Sequence, residues 1–191
     1  MPVVDQRTYR SLLVPVAGRM EHQRLVGRVE ALPEATIRRS SLRRLGARKR
    51  RRLDTPTYES RIVVELVGVG PLRRRTPLPY RGVSRDDIDS IVAGKGGEQR
   101  EVVSALVRFS ANATVSRRCE RLLSALRGLV QGRDVELEAR VVENPSDRIA
   151  PYTLGGFARG EPTSIADVSD ALEESSMVLP WDMTTRWHDA R

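Results

Sequence analysis

Apolar positions recur with usable periods in several stretches of the chain. Arg61 to Val69 is a β-branched run with Ile62, Val64 and Leu66 on one face, which predicts a strand. From Arg100 to Ala111, Val103, Ala105, Val107 and Phe109 alternate with Ser104, Leu106, Arg108 and Ser110, predicting a second strand. Val115, Cys119, Leu122, Leu123, Leu126, Leu129 and Val130 recur at threes and fours, with Arg117, Arg118, Arg121 and Arg127 turned away. That spacing predicts a helix capped by Thr114 or Ser116 and ended by Gly132. Val135 to Val142 alternates again and predicts a third strand.

Weaker signals flank these elements. Ser84 and Asp87 read as a capping box for a short helix carrying Ile88, Ile91 and Val92 and stopped by Gly94. Tyr9 to Val16 reads as a strand, and Met20 to Leu32 is ambiguous because Gly27 interrupts a helical spacing. Residues 144–162 read as a Pro- and Gly-rich connector, and Ile165, Val168 and Leu172 align on one more short helix in the tail. No internal repeat is visible. The expectation is an α+β fold, a small mixed or antiparallel sheet with helices packed on one face, plus a basic N-terminal arm and an acidic C-terminal tail. Its parts are a basic segment over 1–57, helical or partly disordered, a core domain over 58–143, and a linker with acidic tail over 144–191.

Composition sharpens this picture. Hydrophobic residues are 39% of the 191, charged residues 30% and aromatics only 4%, so the core is aliphatic and part of the chain lies outside it. Of 33 basic residues only Lys49 and Lys95 are lysine. Guanidinium groups grip phosphate bidentately and stack on bases, which ammonium groups do not, although a GC-rich genome produces the same bias.

The net charge of +8 is unevenly placed. Residues 1–57 carry 14 basic and 5 acidic side chains, 58–160 carry 17 and 13, and 161–191 carry 2 and 7. The density peaks at Arg38, Arg39, Arg43, Arg44, Arg48, Lys49, Arg50, Arg51 and Arg52, with a second cluster at Arg73, Arg74 and Arg75. These twelve residues are the expected nucleic-acid-binding set, acting through phosphates and largely without regard to sequence. A solvated charged face is the plainer alternative. Arg48 to Arg52 would also serve as a nuclear import signal in a eukaryotic host.

Catalytic chemistry finds little support. His22 and His188 stand near opposite ends, and neither has metal-ligand spacing with Cys119, which falls on an apolar helical stripe. Gly68-Val69-Gly70 and Gly94-Lys95-Gly96-Gly97 fit neither a dinucleotide fingerprint nor a phosphate-binding loop and read as turns. Asp86, Asp87 and Asp89 open a helix, where the dipole favours carboxylates. No catalytic residue, metal or cofactor is expected, and the protein is not read as an enzyme.

One cysteine and the lack of an apolar span or leader favour an intracellular protein without membrane contact, nuclear if the host is eukaryotic. The expected partners are nucleic acid, RNA ahead of DNA, and further copies of the chain as a dimer or larger oligomer. Competing readings are a viral or phage assembly protein whose arm contacts the genome, a protein-interaction adaptor, and a viral RNA-silencing suppressor. Only Phe109 is expected on the sheet, among core positions, so base stacking across the sheet is not expected.

Overall fold

The computed structural model describes residues 6–32, 35–46, 58–68, 85–175 and 182–190. Along them run β1 (Gln6–Val16), α1 (Arg19–Glu30), β2 (Ala35–Arg44), β3 (Tyr58–Gly68), α2 (Arg85–Ala93), β4 (Glu98–Ala113), α3 (Ser116–Val130), β5 (Val135–Glu143), β6 (Tyr152–Gly160), α4 (Pro162–Glu174) and β7 (Asp182–Asp189). The fold is α+β, with β1 antiparallel to β3 and β4, β2 to β3, and β6 to β4 and β5.

Contacts divide the described residues into two units. The first runs to Val102 and takes in Asp189 and Ala190, and the second runs from Val103 to His188. The chain order in the first is β1-α1-β2-β3-α2-β4, and in the second β4-α3-β5-β6-α4-β7. The pairing is also the same in both. The second strand of each pairs with the third, the third with the first, and the first with the last. A repeat invisible in the sequence is therefore present in the topology, because two different residue sets satisfy one arrangement of pleat and helix period. The long strand β4 serves both units, pairing with β1 over Glu98–Glu101 and with β6 over Ala105–Ala113.

In the first unit, Leu12, Val14 and Val16 of β1 and Ile62 and Val64 of β3 meet Leu25 and Val29 of α1 and Ile88, Ile91 and Val92 of α2. Both helices thus cover the sheet face that carries these residues, while Tyr9, Ser11, Leu13, Val63 and Glu65, of the opposite parity, are buried as well. In the second unit α3 packs against α4, β5 and β6. Its buried residues are Cys119, Leu122 and Leu126, one turn apart on a single stripe. Its N-cap is Val115 with no side-chain cap bond, so neither Thr114 nor Ser116 caps the helix. Gly132, at φ +75°, follows it.

Three segments differ from expectation. Residues 35–44 of the expected arm form β2, paired with β3. The register shifts between Ile37 and Arg39, and this bulge breaks the two-residue period that would have revealed the strand. Residues 152–160 of the expected connector form β6, the partner of both β4 and β5. Its glycines permit close approach: a Cβ on Gly156 would lie 2.1 Å from the Glu138 carbonyl oxygen, and one on Gly160 would lie 2.3 Å from that of Asp134. Residues 182–189 form β7, with Trp187 buried. The core accordingly reaches beyond 58–143 on both sides.

Candidate functional site

The outer face of α3 carries the densest described run of free positive charge. The same period that buries Cys119, Leu122 and Leu126 turns Arg117, Arg118, Arg121 and Arg127 to solvent. All four are exposed, and none makes an ion pair among the described residues. Glu120 is the helix's one acidic residue. The corresponding helix of the first unit, α1, likewise exposes Arg19, Arg24 and Arg28. The second helix of the second unit has the opposite character, α4 bearing Asp167, Asp170, Glu173 and Glu174. Arg133 is pinned to Asp167 at 2.6 Å.

The eleven arginines and one lysine singled out in the sequence fall into two groups. Arg38 lies at the bulge of β2 and is held by Glu65, while Arg39, Arg43 and Arg44 are exposed on the same strand. Arg48, Lys49, Arg50, Arg51, Arg52, Arg73, Arg74 and Arg75 lie outside the described residues. The α3 arginines form an outward stripe already in the sequence, at lower local density than the runs at 48–52 and 73–75.

The missed strand β6 also changes the aromatic inventory of the sheet. Phe109 is buried, as its alternation implied. Phe157 stands on the other side of the pleat, cross-strand from Arg108 and Glu138 and only partly buried. Together with Arg140, Gly155 and Gly156 it lines a shallow depression of about 590 Å³ on the second unit.

Titratable groups elsewhere are structural in their surroundings. Burial, and then the charge of Glu65, push the Tyr9 phenol far above its ordinary value. Burial raises the Cys119 thiol, which removes the thiolate that a nucleophile needs. Burial lowers His22, whose Nδ1 lies 2.7 Å from Ser60 Oγ. Among the described residues no three His, Cys, Asp or Glu side chains gather as metal ligands. No described helix is long and apolar enough to cross a membrane.

The fold and surface define an α+β protein made of two βαββαβ units with arginine-faced leading helices. No protein-family profile matches the chain, and no curated protein matches it. Among solved structures it is similar to an unknown protein from Galdieria sulphuraria, at 12% identity over 95% of this chain and 99% of that one, TM-score 0.30. A candidate glycine cleavage system transcriptional repressor is 10% identical over 96% and 99%, TM-score 0.30. A candidate monooxygenase from Lactobacillus acidophilus NCFM is 9% identical over 97% of each chain, TM-score 0.29.

Proposed function

We propose that the protein binds nucleic acid, RNA in preference to DNA, through phosphate contacts from arginine and largely without sequence readout. The observation that carries this reading is the α3 face: four exposed guanidinium groups without carboxylate partners among the described residues. Like charges brought together on one helix repel, and a polyanion relieves that repulsion while releasing its own counterions. Arg43 and Arg44 of β2 extend the basic surface of the first unit. The arginine runs at 48–52 and 73–75 would act as an arm reaching further phosphates, and the acidic C-terminal segment would compete with the polymer for them.

Gel shifts with single-stranded and duplex RNA and DNA at several salt concentrations test the reading. With about six arginines on phosphates, log K falls with log[salt] at a slope of roughly −4 to −5. A slope near zero, or tighter binding to duplex DNA than to every RNA form, would refute it.

A further inference from the structure

A cavity of about 640 Å³ opens to solvent in the first unit, between the end of β1 and the first turns of α1. Val14, Val16 and Leu25, all part of the buried core, form an aliphatic floor. Arg19, Arg24 and Arg28 of α1 stand around the mouth with Lys95 from the turn after α2. A volume of this order, apolar within and edged by a few charged groups, suits a small organic ligand.

The charges around the mouth do not cancel. Glu21 is the single acidic lining residue, and its carboxylate already accepts the Ala17 N–H at 2.7 Å and pairs with Lys95. Arg19, Arg24 and Arg28 make no ion pair among the described residues, although the Arg24 charge, after the Ala17 N–H and Lys95, helps to lower the Glu21 carboxyl. Arg24 and Arg28 are one helical turn apart, where like charges destabilise by a few tenths of a kcal/mol that a bound anion would offset.

We infer that this cavity binds a small amphipathic organic anion, its apolar body on Val14, Val16 and Leu25 and its carboxylate or phosphate head among Arg19, Arg24 and Arg28. The site lies on the first unit and shares no residue with the α3 face, so it stands independently of nucleic-acid binding.

Gly18 supplies the means to test this. It lines the cavity, its φ of 176° is extended backbone open to any residue, and a Cβ there meets nothing within 4 Å. Gly18→Phe therefore blocks the cavity without backbone strain. The full-length protein is titrated with 8-anilinonaphthalene-1-sulfonate, then with octanoate, octyl phosphate or inorganic phosphate as displacing agents. The expected result is one saturable site per chain, emptied by an octyl compound and not by inorganic phosphate at equal concentration. The relative strength of octanoate and octyl phosphate identifies the preferred head group. Gly18→Phe should weaken dye binding by at least about tenfold with an unchanged circular dichroism spectrum, and Arg24→Gln with Arg28→Gln by about fivefold. Unchanged affinity in Gly18→Phe, or displacement by phosphate as effective as by octanoate, overturns the assignment. Should Gly18→Phe fail to fold, the double arginine variant decides, and wild-type affinity in it has the same meaning.

Discussion

Glu65 Oε2 accepts from Arg38 Nε at 2.6 Å and lies 2.5 Å from its Nη2. The carboxylate is 4% exposed and the guanidinium 19%, and Arg7 Nε stands 3.5 Å from the other oxygen. Removing one member of a buried pair leaves the other charge unmatched. Glu65→Gln should cost roughly 3 kcal/mol, the low end of the range for buried pairs because Arg38 keeps some water. Arg7→Gln, at a side chain 41% exposed, should cost less than about 1 kcal/mol. Urea denaturation measures both, and equal losses would contradict this account of the cluster.

Tyr9 predicts the behaviour at high pH. A phenol raised by burial is favoured neutral in the fold, so the folded protein holds its proton where the unfolded chain releases it. Its contribution is complete below the ordinary value of 10.0 and is lost as pH rises above it. Stability should therefore fall above pH 10.0, with ionisation of this tyrosine, followed by ultraviolet absorbance, appearing together with unfolding. Tyr9→Phe should flatten that slope, and an unchanged slope would assign the alkaline loss to other groups.

Adjacent glycines in β6 should respond oppositely to the same substitution. At Gly155 an added Cβ comes no nearer than 3.9 Å, so Gly155→Ala should be neutral or raise stability by up to about 1 kcal/mol. At Gly156 it would press to 2.1 Å from one backbone oxygen and 2.6 Å from the Ala139 Cα. Gly156→Ala should cost about 2 kcal/mol or more, since the β5 backbone at Glu138 and Ala139 must shift. Thermal melts of the two variants would discriminate, and similar midpoints would argue against the close strand approach.

Changing Arg117, Arg118, Arg121 and Arg127 together to Gln keeps good helix formers while removing the charge. RNA binding should weaken for all sequences alike, and the salt slope should become less negative by about 3. An unaltered slope would move the interface elsewhere. Phe157→Ala probes stacking on the second unit: a loss of about 1–3 kcal/mol confined to single strands would place a base on that ring.

The sequence was most informative where one face of an element meets one environment. α3 was legible because Cys119, Leu122 and Leu126 repeat at helical spacing, β3 as a short β-branched run, and β4 and β5 by alternation. β2 was hidden because four arginines and a bulge interrupt its alternation, so that charge density outweighed the pattern of Ile37 and Leu42. β6 was read as connector because glycines usually mark loops, whereas here Gly156 and Gly160 admit the neighbouring backbone. Losing β6 also hid Phe157, a partly exposed aromatic on a strand paired on both sides. β7 alternates too, through Met183, Thr185 and Trp187, but its core-facing positions include a threonine and it lies within an acidic stretch.

Because β4 closes one βαββαβ motif and opens the next, a protease nick near Val102 would injure two ladders at once. Fragments made by dividing the gene at that point would each inherit a truncated border strand with unsatisfied amides and carbonyls. Independent expression of the halves should therefore include the whole of Glu98–Ala113 in both, a duplication that ordinary linker-based dissection never requires.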